Sequence, residues 1–218
     1  MSMKHKIRSY LVFTSLGYKI IMFAILPLVL LGIQVFSTIV FRGTAIPVFV
    51  MILIMVESVA DYWFLGGIQE KGSEKIDYLK TSPRGMKVMK SALVMDLVRR
   101  FLFHAGIFGL SQMIALISGS LDRAGNLIGF GELLLAIFLS YTLSVLGIFI
   151  SRFTSYFWVN LLCGYIGSIA GLVILLVCMS MPVPVVLPNI ALVVLGGGIS
   201  VLTVKIAMLK VEGSYYDK

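Results

Sequence analysis

The chain has 218 residues, 59% of them hydrophobic and 13% charged, with a formal net charge of +8 and a mean hydropathy of +1.03. Soluble domains carry roughly 45–50% apolar and about 25% charged residues, so the composition excludes an ordinary water-soluble domain and predicts an integral membrane protein. In that setting the excess of Lys and Arg marks the cytoplasmic face of a bilayer, and no nucleic-acid partner is expected.

The chain opens on "MSMKHKIRSY", basic like the start of a signal peptide. The apolar run behind it is too long for a cleavable leader and lacks a small-residue cleavage site, so the segment is expected to stay attached. Over residues 5–18, Ile7, Tyr10, Leu11 and Phe13 form an apolar stripe, with Lys6, Arg8, Ser9 and Thr14 opposite. That pattern predicts an interface helix lying in the headgroup plane, or an ordinary juxtamembrane anchor.

A helix crosses the hydrocarbon core with about 20 apolar residues. The first such run is 20–41, uncharged between Lys19 and Arg42, and the second is 44–67, which contains Glu57 and Asp61. The stretch 70–84 is rich in charge, and twelve of the chain's 28 charged residues fall between Glu70 and Arg100. Within it "SEKIDYLK", residues 73–80, predicts a short helix with Ser73 as N-cap, Glu74 and Asp77 in the first turn and Lys80 at the end. Ser82 and Pro83 suit the start of a new helix. Met86, Met89, Leu93 and Leu97 then give a stripe at helical spacing, predicting a stem that enters the third span, together 83–121.

The fourth span is 126–151, with Glu132 expected near its outer end. Residues 153–204 carry no charge, which is too long for one crossing, and "MPVPVVLPN" with Pro182, Pro184 and Pro188 divides it. The fifth and sixth spans are therefore 155–180 and 189–209. Sixteen Lys and Arg fall on the N-terminal side of the membrane and two, Arg42 and Arg123, on the other, which places both termini in the cytoplasm. The expected fold is thus all-α, six transmembrane helices in a single domain, 1–218. Cys163 and Cys178 lie fifteen residues apart in one span, roughly 22 Å along a helix, too far to bridge within it.

Glu57 and Asp61 are the sharpest signal within the membrane, four apart and so on one helix face. Carboxylates at that depth must face protein or water. Lys19, Arg99 and Arg100 sit at the same inner level and are candidate partners. The cluster reads as an inner gate of exchanging ion pairs, as a proton or cation site, or as a fixed ion pair orienting the second span. His104 reads as hydrogen-bonded packing. No metal motif and no nucleophile with a partnering base stands out, so no catalytic residue is expected. Gly167 and Gly171 form a GxxxG pair beside Gly164, suited to packing within the bundle or between two chains.

An interface helix, six spans with both ends inside and an E-x-x-x-Y-L-x-x-S-P segment before the third span resemble the ABC-2 class of ABC transporter permeases. The residues carrying that resemblance are Glu74, Tyr78, Leu79, Ser82, Pro83 and the basic stretch after them. It implies that residues 73–80 form a coupling helix seated on a separate ATPase subunit, with Glu74, Ile76, Asp77, Tyr78, Leu79, Lys80, Ser82 and Pro83 at the contact. The chain has no phosphate-binding loop, since "GGGIS" at 196–200 lacks the lysine, so ATP and Mg would belong to that subunit. The resemblance further implies a second permease chain, identical or different, and alternating access at the bacterial cytoplasmic membrane. The family's re-entrant elements between spans five and six are reduced here to "SMPVPVVLPN". The expected role is export of a hydrophobic or amphipathic cargo, with a resemblance to phenol-soluble modulin and antimicrobial peptide exporters. The alternatives are a proton-coupled secondary transporter using Glu57 and Asp61, a substrate-binding subunit of a vitamin-uptake complex, and a non-transporting membrane immunity protein.

Overall fold

The structure is a computed structural model that describes residues 3–41, 44–69, 82, 84–117, 129–151, 156–180 and 185–213. Every element among them is a helix: α1 (Met3–Val12), α2 (Leu16–Ile20), a π-helical turn (Ile21–Ile25), α3 (Leu26–Phe41), α4 (Ile46–Gln69), α5 (Gly85–Ile117), α6 (Phe130–Ser151), α7 (Phe157–Ser180) and α8 (Val186–Gly213). Among the described residues five helical stretches are long and apolar enough to cross a membrane: Leu16–Phe41, Gly85–Ile117, Phe130–Ile150, Phe157–Ser180 and Val186–Leu209. The protein is therefore a helical membrane protein. The coupling segment 73–80, with Glu74, Ile76, Asp77, Tyr78, Leu79 and Lys80, lies outside the described residues, as does Pro83.

The amino-terminal segment departs from expectation. A single helix over 5–18 does not form: α1 ends at Val12, and Ser15 begins a new helix, its Oγ accepting the Tyr18 amide at 3.1 Å. The Thr14 hydroxyl turns back to the Leu11 carbonyl at 3.0 Å. Hydroxyl side chains that satisfy backbone groups locally stop one helix and start the next. The first span accordingly starts at Leu16 rather than residue 20. Of the anticipated stripe Tyr10 is buried, its ring 5.4 Å from Phe64 on α4, and Phe13 packs partly against the core; Ile7 and Leu11 stay exposed.

Pro27 accounts for the π turn. Its ring has no N–H and would clash with the carbonyl four residues back, so the helix widens by one residue ahead of it, with the Leu26 amide reaching the Ile21 carbonyl. Pro47 and Pro188 fall in the first turns of α4 and α8, where an amide would be unpaired anyway. That is why the last helix starts at Val186, ahead of the proline, and not at residue 189. Likewise α6 starts at Phe130, four residues after the expected 126, where the Glu132 carboxylate reaches back to accept the Gly129 amide at 3.0 Å, one half of a capping box. The stem and third span form one continuous helix of 33 residues, about 50 Å long.

Two helices form the centre. α6 touches α4, α5, α7 and α8, and 56% of its spanning window is buried, against 11% for α8 at the periphery. α4 packs most extensively against α7. There Gly164 lies so near α4 that a Cβ would stand 3.1 Å from the Met55 carbonyl oxygen, and one on Gly171 would stand 2.6 Å from Ile54 Cδ1. The small residues of the fifth span thus serve packing within the bundle.

Candidate functional site

α5 buries one face along most of its length: Met89, Leu93, Asp96, Arg100, His104, Phe108, Ser111 and Ala115 recur every three or four residues. The polar members of that face pin the helix at three heights. Near its entry Arg100, braced by Asp96 on its own helix, joins α4; one turn on, His104 Nδ1 lies 2.8 Å from Ser140 Oγ on α6. Farther on, the Ser111 hydroxyl donates to Gln34 Oε1 at 2.7 Å, an oxygen that also accepts the Ala45 amide at 3.0 Å. Gln34 is fully buried, and its Nε2 donates to Thr38 at 2.9 Å.

The lowest of these is an ion-pair cluster. Glu57 and Asp61 sit one turn apart on α4; Asp96, Arg99 and Arg100 occupy one face of α5. Arg99 grips the Glu57 carboxylate with both ends of its fork, Nη1 to Oε1 at 2.6 Å and Nη2 to Oε2 at 2.8 Å. Arg100 donates through Nη1 to Glu57 Oε2 at 2.6 Å and to the Glu57 main-chain carbonyl at 2.7 Å. Its Nε bonds Asp96 Oδ2 at 2.8 Å, and its Nη2 reaches Asp61 Oδ1 at 3.2 Å. Asp96 also lies 3.2 Å from Arg99 Nη2. The side chains of Glu57, Asp96 and Arg100 are wholly inaccessible, and Arg99 is 9% exposed.

Planar guanidinium forks suit this geometry, because each can serve several carboxylate oxygens at once without moving. The outer edge of the cluster is closed by tyrosines. Arg99 Nη2 donates to the Tyr18 hydroxyl at 3.0 Å, the guanidinium carbon lies 5.9 Å from the Tyr18 ring centre, and Tyr18 meets the Tyr10 hydroxyl at 3.1 Å. Burial pushes the Tyr10 phenol up to about 12, although Arg99 nearby pulls the other way. α1, α2, α4 and α5 therefore meet through one chain of polar contacts.

Of the residues singled out from sequence, Glu57, Asp61, Arg99 and Arg100 come together. Lys19 does not: it is half-buried and makes no ion pair among the described residues. The pairing with Glu57 and Asp61 expected of it is made by Arg99 and Arg100, and its neighbour Tyr18 accepts from Arg99 instead. Ser82 contributes its carbonyl to the Gly85 amide at 2.9 Å, opening α5. Asp96, Tyr18 and Tyr10 were missed. The signal for Asp96 was its spacing of three and four from the arginines on a helix entering the membrane.

Chemically the cluster is a lock. Arg99 has three different acceptors within reach, Glu57, Asp96 and Tyr18, so it could exchange partners if the helices shifted. Among the described residues no group of His, Cys, Asp or Glu is arranged to hold a metal ion. Comparison with protein-family models, with curated proteins and with solved structures gives no match.

Proposed function

We propose that this chain is the membrane permease subunit of an ATP-driven ABC exporter, with six spans, both termini in the cytoplasm and a coupling helix at 73–80. In this reading α4 is the remaining span, being 24 residues long and the partner of α5 in the buried lock. ATP binding and hydrolysis occur on a separate subunit that grips the segment between α4 and α5. Two permease chains open outward to release a hydrophobic or amphipathic cargo, with antimicrobial or toxin-like peptides the favoured class.

One observation carries the proposal. The two helices that flank the charged segment are the two joined by the ion-pair lock, and α5 runs from that segment as one unbroken 33-residue helix. A force on the segment would pass into both helices at once. The docking of α1 against α5 extends the same body to the interface helix. Glu57 is held from two sides by Arg99 and Arg100, an arrangement of a fixed strut rather than of a proton carrier.

The test is co-purification in mild detergent followed by reconstitution. A bound polypeptide with a phosphate-loop motif is expected. Tyr78→Glu with Leu79→Glu should weaken its binding by about tenfold or more, the usual consequence of losing apolar anchors at an interface, while helix content stays the same. Transport that runs without any such subunit and stops when the proton gradient is collapsed would overturn the proposal in favour of a secondary transporter.

A further inference from the structure

α5 and α8 both lean on α6, yet they meet each other only sparsely. Between them lies a cavity of 850 Å³, within the range of about 300–1,000 Å³ typical of ligand sites. Its floor comes from α6, where the Tyr141 hydroxyl meets Ser200 Oγ at 2.9 Å and Phe101 packs edge-on to the Tyr141 ring at 5.5 Å. Its walls are Val94, Val98 and Leu102 on α5 and Val201 and Leu209 on α8, all exposed.

Among the described residues the charge lining this groove is that of two lysines. Lys90 and Lys205 are both exposed and both line it, and none of its lining residues is a carboxylate. Lys90 lies near the start of α5 and Lys205 near the end of α8, so two helices of opposite direction bring the lysines to the same end. The lysine excess elsewhere in the chain assigns that end to the cytoplasmic side. Valine and leucine walls below a pair of ammonium groups match an amphiphile with an anionic head and an apolar tail. The membrane in which the helices sit supplies that amphiphile continuously.

We propose that the cleft between α5 and α8 binds an anionic phospholipid of the cytoplasmic leaflet, its phosphate between Lys90 and Lys205 and an acyl chain along Val94, Val98, Leu102 and Val201. Basic recesses between transmembrane helices on that side are suited to such headgroups. The lipid fills a gap that the helices leave open and ties the peripheral α8 to α5. The proposal rests on the membrane reading alone and is independent of whether an ATPase subunit binds.

The experiment is native mass spectrometry of the full chain in mild detergent, titrated with phosphatidylglycerol or with phosphatidylcholine of the same acyl chains. The unaltered chain should hold phosphatidylglycerol in preference to phosphatidylcholine by roughly thirtyfold, the attraction of two lysines for an anionic headgroup. Lys90→Gln with Lys205→Gln should abolish that preference, and Lys90→Arg with Lys205→Arg should keep it. Equal retention of the two lipids by the unaltered chain overturns the proposal, and so does an undiminished preference in the glutamine variant. Should the glutamine variant fail to fold, a photoactivatable phosphatidylglycerol is applied to the unaltered chain. Labelling within 94–102 and 201–209 supports the site, and labelling confined elsewhere overturns it. If a second copy of the chain covered the groove, Leu102→Cys would form disulfide-linked dimers in phosphatidylglycerol nanodiscs, and that outcome also overturns it.

Discussion

Toward α5, α4 presents Glu57 and Asp61, whose charges are gathered in by Arg99 and Arg100; toward α7 it presents Val50, Ile54, Met55 and Ser58, over which the glycines of α7 close. In hydrocarbon there is no hydrophobic force to press helices together, so association must come from polar contacts or from close packing. One helix uses each means on a different face. The ionic seam depends on every partner being present, because a charge left alone in such a site is costly. The glycine seam depends only on the absence of side chains.

The largest effect should come from breaking the ionic seam on one side. Glu57→Leu leaves Arg99 and Arg100 buried without their shared carboxylate, a loss of about 3–5 kcal/mol. It should be read as a sharp fall in melting temperature in detergent and in the amount of protein retained in membranes. Replacing Glu57 and Arg99 together by leucine should cost less than the two single changes added, because neighbours in one network are not additive. If the double change costs the full sum, the seam is not a network.

The glycine seam should respond less, and unevenly. Gly164→Ala pushes a methyl against the Met55 main-chain oxygen and Cα, at 3.1 and 3.3 Å, which cannot yield without moving α4; about 1–3 kcal/mol is expected for such overpacking. The nearer contact at Gly171, 2.6 Å, is with the tip of the Ile54 side chain, which can turn away. Gly171→Ala should therefore be the milder change in the same melting assay, and the reverse order would show that α4 adjusts its backbone more readily than its side chains.

At the edge of the ionic seam the effects are smaller still. Tyr18→Phe removes the hydroxyl between Arg99 and Tyr10, about 1 kcal/mol, while Arg99 keeps its carboxylates. Tyr10, outside the spanning helices, contributes a pH dependence of its own. Its phenol ionises near 10.0 when unfolded and near 12 in place, so the folded chain holds the proton to higher pH than the unfolded chain. The stability this contributes is whole below pH 10 and is lost as pH rises toward about 12. Over that interval the melting temperature of the unaltered chain should fall more steeply than that of Tyr10→Phe.

Much of the architecture was legible because a membrane span is a property of consecutive residues. The runs around 20–41, 83–121 and 155–180 could be read from hydropathy, and their helices fall within a few residues of those limits. The boundaries that were misplaced depend on side chains acting on the backbone: Ser15 as a cap, Glu132 accepting the Gly129 amide, and Pro188 tolerated in a first turn. Four members of the charge cluster were legible as well, since Glu57, Asp61, Arg99 and Arg100 had no lipid-compatible alternative to one another.

The sequence by itself determined that the chain is helical, membrane-bound and obliged to pair its few buried charges, because length, apolarity and charge follow from the order of residues alone. Only the tertiary structure decided which groups meet: Asp96 and Tyr18 beside Arg99, Lys19 outside the cluster, glycines of α7 against α4, and an open cleft between α5 and α8. Those choices depend on how far each helix is turned about its axis. That rotation is set by packing against all of its neighbours together, which no local pattern of residues encodes.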